Sequence, residues 1–303
     1  MDFRLVQDSR VGTRRYNQDR IGFWKSADSL LMVLADGMGG HARGELAAEI
    51  AVDFLGREFR RDARPRLADP DLFLFRGIGR AHLEIVDRAR AMGLPESPRT
   101  VLVACVIQDG FAWWSHVGDS RLYLLRAGRV LARTRDHSRV QQLIDKGRIR
   151  EEAAASHPER NLLLQCLGSG RPPRLEPART MRLARDDVLM LCSDGFWGPL
   201  TSRHMLASVA SYPLDEAVRE LMDLAEKRAG RECDNVSVIA LAWGEDEAPA
   251  AEAPHTVPFH ELPTDVQDFT ATDPDFLRMS DAEIDRAIDE IRTALKKNPP
   301  RDA

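Results

Sequence analysis

The chain has 303 residues, 43% of them hydrophobic, which is enough for a real core and suggests two domains or one larger domain with an appendage. With 30% charged residues and a formal net charge of −5, it is expected to bind neither nucleic acid nor a membrane surface. Cys105, Cys166, Cys192 and Cys233 form no Cys-x-x-Cys pair, no apolar run approaches the roughly 20 residues of a bilayer span, and the N-terminus lacks a secretion signal, so a reducing, cytoplasmic setting is expected.

In chain order, 30–35 is a short apolar run that stops at Asp36-Gly37. The segment 45–59 reads as a helix, with Leu46, Ile50 and Phe54 four residues apart, and 72–92 as a second helix. Strands follow at 101–107, 111–117 and 121–125, and Asp109-Gly110 marks a hairpin between the first two. Trp113 and Trp114 alternate faces on their strand, one for the core and one for a helical layer. Ala127-Gly128-Arg129 predicts the next turn, 136–165 is polar and partly helical, and 188–192 is a strand. A helix over 214–228 and a strand over 236–243 complete a body of residues 1–244. Hairpin-linked strands beside helices indicate an α+β fold with antiparallel sheet rather than a βαβ dinucleotide fold.

Composition breaks near Gly244. Residues 245–303 carry a net charge of −9, leaving +4 for the body, and hold 7 of the 17 prolines. The stretch 245–279 reads as an acidic Pro/Ala-rich linker. Ser280-Asp281-Ala282-Glu283 is a capping box, and Ile284, Ile288, Ile291 and Leu295 make one apolar stripe, so 280–297 is expected to be an amphipathic helix. A helix this short is marginal alone and is expected to dock on its own body or on a partner.

The chemistry lies in acids at strand ends. Asp36, Asp119 and Asp194 each follow an apolar strand-like run, Asp234 precedes one, and Asp19 stands just before Ile21. If they converged, these five would repel one another unless a cation lay between them. Hard divalent ions such as Mg²⁺ and Mn²⁺ take such oxygen ligands, and the backbone carbonyl of Gly37 is another candidate. Singly, an Asp-Gly at a strand end is usually just a turn. Arg14, five residues ahead of Asp19, suits bidentate grip of a phosphate, although alone it is equally a surface arginine. His41 could move a proton, or be a polar residue ahead of a helix. His116, inside a strand, reads as structural.

Five segments together carry a family resemblance. They are Arg14-Arg15-Tyr16-Asn17-Gln18-Asp19, Val33-Leu34-Ala35-Asp36-Gly37-Met38-Gly39-Gly40, Val117-Gly118-Asp119-Ser120-Arg121, Leu191-Cys192-Ser193-Asp194-Gly195-Phe196-Trp197 and Asp234-Asn235-Val236-Ser237-Val238. In this order the chain resembles the bacterial branch of the PPM, or PP2C-like, metal-dependent serine/threonine protein phosphatases over about residues 4–243. The resemblance implies a four-layer α-β-β-α sandwich of two antiparallel sheets flanked by helices. It implies two Mn²⁺ or Mg²⁺ ions held by Asp36, Gly37, Asp194 and Asp234, with Asp19 in the same shell or the next, and Asp119 helping to hold a third, weaker one. Arg14 would grip the phosphate. Asn17, Ser120, Arg121 and Asn235 would support the ligands from behind.

The implied reaction is direct hydrolysis of phosphoserine or phosphothreonine in proteins by a metal-activated water, opposing a Ser/Thr kinase, with no phospho-enzyme. Two other readings stand beside it: a regulatory protein that binds phosphoproteins without turning them over, and a two-metal phosphoesterase of small molecules. This chain departs from the family at three places. Gln18 stands where many members have Glu, Met38 where animal members place a His, and Ser97-Pro98-Arg99-Thr100 where a Gly-Ser/Thr-Thr pattern is common.

Overall fold

The computed structural model describes residues 1–38, 43–154 and 156–244. The expected linker, the expected helix at 280–297, and His41 lie outside these residues.

Among the described residues, ten strands form two antiparallel five-stranded sheets. The first, in spatial order, contains β1 (Phe3–Arg10), β10 (Val236–Trp243), β9 (Val188–Cys192), β6 (Arg121–Arg126) and β7 (Arg129–Arg133). The second contains β2 (Asp19–Lys25), β3 (Ser29–Gly37), β4 (Thr100–Gln108), β5 (Phe111–Val117) and β8 (Arg179–Arg182). Helices α1 (Gly44–Asp62) and α2 (Pro70–Ala91) cover the second sheet. Helices α4 (Asp194–Trp197), α5 (Ser202–Ser211) and α6 (Leu214–Ala229) pack on the first. The short α3 (Arg139–Asp145) lies in the polar segment after β7. This is the α+β sandwich expected from the sequence.

The three interfaces between the four layers are three separate cores, and strand periodicity sorts residues among them. On β3, Leu31, Val33 and Ala35 face α1 and α2, while Leu30, Met32 and Leu34 face the other sheet. On β4, Leu102, Ala104 and Val106 join the helical side, and Val103, Cys105 and Ile107 the inter-sheet side. Both strands are buried on two faces, so their sequences are continuous apolar runs rather than alternating ones. Trp113 and Trp114 divide as expected, Trp114 between the sheets and Trp113 under the helices. In the first sheet, Leu189, Leu191, Ile239 and Leu241 point inward, while Met190, Val238 and Ala240 meet Val218, Leu221 and Met222 of α6.

The helices begin and end for local reasons. Asp69 caps α2 by accepting from the Leu72 N–H at 2.9 Å, with Pro70 at the first helical position. Thr201 and His204 form a capping box on α5, and Ser138 accepts from the Gln141 N–H at the start of α3. Among the described residues no helix is long and apolar enough to cross a membrane.

His82 of α2 is buried, and its Nδ1 accepts from the Gly168 N–H at 3.1 Å. Burial pushes its pKa down to about 4. The unfolded chain therefore takes up this proton between about pH 6.5 and pH 4 while the folded chain does not. Its contribution is full above about pH 6.5 and lost on acidification. His137, pushed down to about 4 by burial and by the stacked His116 ring 4.5 Å away, steepens the same loss. Each group costs about 1.4 kcal/mol per pH unit in that window. Thermal melts from pH 7 to 5 should show the decline, and His82→Asn, which keeps an acceptor for Gly168, should flatten it by one proton. Parallel profiles for the two proteins would refute the assignment.

Candidate metal centre

Strand direction brings the acids to one end of the sandwich. Asp19 opens β2 and stands opposite Asp36, near the end of β3, in the antiparallel register. Gly37 then pairs with Thr100, the first residue of β4. Asp194 follows β9, and Asp234 precedes β10, its antiparallel neighbour, so both sit at the same end of that pair. Arg121 pairs with Cys192, which places Asp119, two residues earlier, at that end as well.

The backbone here is tightly pinned. The Thr100 hydroxyl donates to the Asp36 carbonyl at 2.7 Å, and the Gly37 N–H donates to the Gln18 carbonyl at 3.2 Å. Gly37 lies flat against the start of α1. A Cβ on it would stand 2.4 Å from the Gly44 carbonyl carbon, so no larger residue fits between Asp36 and the helix.

Asn235 staples the arginine loop to this edge. Its Nδ2 donates to the Val11 and Tyr16 carbonyls at 2.9 and 3.0 Å, while its Oδ1 accepts the Gln18 N–H at 2.8 Å. Held this way, Arg14 reaches Asp234 with an Nη2–Oδ2 contact of 2.7 Å. Asn17 orients the next acid, its Oδ1 accepting the Asp19 N–H at 3.0 Å and its Nδ2 donating to Ser9 at 2.8 Å. The Arg20 guanidinium donates to the carbonyls of both Asn17 and Asp19 at 2.8 Å.

The acids share one electrostatic field. Burial raises Asp36 well above the ordinary carboxylate range, and Asp19, Asp194, Asp119 and Asp234 raise it further. Burial pushes Asp19 up to about 7, tempered by the nearby Ser237 and Ser193 hydroxyls and reinforced by Asp194 and Asp234. Asp194 is pushed up to about 6 by burial and then by Asp234. Asp119 is raised by burial, then by Asp194 and Asp136.

Asp19 is 3% exposed, and neither of its carboxylate oxygens has a hydrogen-bond partner, since the two serine hydroxyls do not reach bonding geometry. An orphaned carboxylate of this kind is costly in an apolar protein interior. An all-oxygen donor set of mutually repelling acids with such an orphan fits a hard divalent cation. Among the described residues, however, no group of three or more His, Cys, Asp or Glu side chains is arranged to hold a metal ion.

Glu45, Asp136 and Trp197 bear on the site without a role given from sequence, and they act through Gln18, Arg121 and Asp119, which the sequence singles out. Gln18, which lacks the charge of the common Glu, donates through Nε2 to Glu45 of α1 at 3.1 Å. Arg121 forms a bidentate pair with Asp136 at 2.8 and 2.7 Å, rather than contacting Asp119 directly through a hydrogen bond. The Trp197 indole N–H donates to the Asp119 carbonyl at 3.0 Å, and the Arg121 guanidinium lies 3.4 Å over its ring. The Ser120 hydroxyl is buried without a partner, so it makes no hydrogen bond that would brace the Asp119 turn. Trp197 and Asp119 are 78 positions apart, and no local sequence pattern joins them.

Residues 6–233 match the family described as Protein phosphatase 2C. A putative protein phosphatase 2C-type of Streptococcus pyogenes is 35% identical over 241 residues, spanning 78% of this chain and 96% of the relative. The protein phosphatase PhpP of Streptococcus pneumoniae is 31% identical over 259 residues, spanning 82% of this chain and all of the relative. Among solved structures, the catalytic domain of the serine/threonine protein phosphatase PstP in complex with two manganese ions superposes with a TM-score of 0.66 at 28% identity, covering 80% of this chain and 98% of that one.

Proposed function

The chain belongs to the protein phosphatase 2C family, and from that premise we propose that it hydrolyses phosphoserine and phosphothreonine in proteins with two Mn²⁺ or Mg²⁺ ions, opposing a Ser/Thr kinase. The observation that carries the reading is the shared field of Asp19, Asp36, Asp119 and Asp194, with Arg14 paired to Asp234 at its edge. The solved manganese complex of PstP, similar over 80% of this chain, supports the choice of cation.

Asp36, Asp194, Asp234 and the Gly37 carbonyl would hold the two ions, with Asp19 beside them and Asp119 toward a third. When bound, the ions lower the pKa of water and neutralise phosphate charge. The chain's own residues do the rest. Thr100 fixes the Asp36 carbonyl, and Asn17 and Arg20 fix the backbone of Asp19, so these carboxylates are placed before substrate arrives. Arg14 is more than half exposed, and its guanidinium meets a phosphate oxygen while staying near Asp234. Met38 has no ionisable proton, so it does not protonate the leaving oxygen.

The test is initial-rate hydrolysis of a phosphothreonine peptide with Mn²⁺, Mg²⁺ or EDTA. Turnover that depends on metal is expected. Arg14→Ala removes a charge-assisted hydrogen bond worth about 1.5–3 kcal/mol and should lower kcat/KM roughly tenfold to a hundredfold, mainly through KM. Undiminished turnover in EDTA, or an Arg14→Ala enzyme with unchanged KM, contradicts the proposal.

A further inference from the structure

The turn that carries Asp119 is held by a residue from a different layer of the fold. Helix α4 is a single turn with Asp194 at its start and Trp197 at its end. It is pinned at both ends. The Phe196 and Trp197 N–H groups return to the Ser193 carbonyl, and the Phe196 side chain is fully buried against the first sheet. From this fixed turn the Trp197 indole N–H donates to the Asp119 carbonyl at 3.0 Å.

The ring itself cannot swing freely. The Arg121 guanidinium packs over it at 3.4 Å, and Arg121 is in turn locked by the bidentate pair with Asp136 and by a 3.0 Å bond to the Tyr123 hydroxyl. Arg121 and Asp136 are both nearly buried, at 13% and 8% side-chain exposure, so little solvent competes for this pair. Gly118, just before Asp119, has a positive φ of 105°, and its carbonyl accepts the His137 N–H at 2.8 Å. The Asp119 backbone is therefore held from two sides, by Trp197 on one and by the segment that follows Asp136 on the other.

We infer that Trp197 is a positioning residue that ties the Asp119 turn to the Asp194 turn and so sets the affinity of the cation bound through Asp119. The inference rests on the proposed reading of Asp119 as a ligand. A carbonyl fixed at 3.0 Å fixes the Cα of Asp119, and with it the arc its short side chain can sweep. Without the indole N–H, the turn keeps its sequence and its hydrogen bond to His137 but loses the link to α4. The effect falls on the weaker, Asp119-dependent cation, because Asp36, Asp194 and Asp234 lie on other backbone segments.

The experiment is a Mn²⁺ titration of the full chain without substrate, following the free-ion signal by electron paramagnetic resonance. Wild type is expected to show a tight and a weak class of site, and Asp119→Ala to lose the weak class. Trp197→Phe keeps a ring beneath Arg121 and removes only the N–H. It should weaken the weak class about three- to tenfold while leaving the tight class and the metal-free melting temperature unchanged. A merely structural role would move the melting temperature and both classes together. Asp136→Asn, run in parallel, keeps its shape but loosens Arg121, and it should move the same class in the same direction even if Trp197→Phe fails to fold.

Two further results would overturn the inference, and they are distinguishable. If Asp119→Ala differs from wild type while neither Trp197→Phe nor Asp136→Asn does, the positioning role is wrong and the ligand reading stands. If Asp119→Ala binds Mn²⁺ like wild type, the reading of Asp119 as a ligand fails, and the inference with it.

Discussion

Asp36→Asn is expected to cut turnover by orders of magnitude and, in the same protein, to raise the melting temperature of the metal-free fold. The two effects have one cause. Asp36 stands opposite Asp19 in the β2–β3 register, and burial together with four neighbouring acids raises its pKa well above the ordinary range. A carboxyl whose folded pKa is raised withdraws stability as pH climbs past its unfolded value, so the penalty is present at pH 7 and absent below about pH 4. Asparagine has the same shape and no charge, which removes that penalty. A gain of about 1–3 kcal/mol, or roughly 2–10 °C for a chain of this size, is expected in EDTA at pH 7.

Added Mn²⁺ should then reverse the order. Wild type gains stability by mass action on binding, while Asp36→Asn, without the carboxylate that would help hold the ions, gains little. Hydrolysis of the phosphothreonine peptide should fall at least about 10²–10³-fold, the range seen when one principal electrostatic stabiliser is lost. Melting curves of both proteins, with EDTA and with Mn²⁺, check the pattern. If Asp36→Asn melted below wild type in EDTA, the repulsion argument would fail. If it kept the full Mn²⁺-dependent rise, Asp36 would not be a ligand.

How much of this is legible in the sequence depends on the range of each interaction. The strands β3 and β4 are buried on both faces and read as unbroken apolar runs, and Asp109-Gly110 marks the hairpin that joins β4 to β5. The strand β1 gives no such signal. Its polar residues are used by a helix more than 200 positions away, Arg4 pairing with Asp215, and Arg10 with Asp223 and Glu226. Its place in the sheet comes from full-length pairing with β10 rather than from alternation. The short edge strands β7 and β8 carry arginines at both ends and little buried surface, so they look like turns and loop.

The acids follow the same rule. Each is visible as a carboxylate at the end of an apolar run, because that is a local pattern. Which backbone groups hold them is not local. Asn235 binds Val11 and Tyr16, and Trp197 binds Asp119, through contacts that arise when strands distant in sequence pair, β1 with β10 and β6 with β9. Gln18 shows the difference in another way. Read alone it is a missing negative charge, yet in the fold its N–H, carbonyl and side chain join β10, β3 and α1 around the site.

Gly195→Ala is expected to be a strongly damaging single-methyl change in the site. Gly195 follows Asp194 in α4, and a Cβ there would stand 2.1 Å from the Asn235 carbonyl oxygen, 3.0 Å from its carbon and 3.3 Å from the Asp234 Cβ. The obstacle is the backbone entering β10, not the end of a flexible side chain, so the strand start must move. Overpacking of this kind costs about 1–3 kcal/mol and more where backbone resists, or roughly 2–10 °C in melting temperature.

The displacement also has a direction. It pushes Asp234 and Asn235 away from Asp194, and Asn235 carries the loop that bears Arg14. A shift near 1 Å between catalytic groups costs about 10²-fold in rate, so kcat/KM should fall by that order and Mn²⁺ should bind more weakly. Gly93→Ala separates this from a general glycine effect. Gly93 has a φ of 65° but nothing within 4 Å of an added Cβ, so alanine there meets only left-handed backbone strain of about 1–2 kcal/mol. That variant should melt slightly lower with wild-type Mn²⁺ affinity and turnover. Should Gly195→Ala behave the same way, the close packing of α4 on β10 would not be what sets the spacing of Asp194 and Asp234.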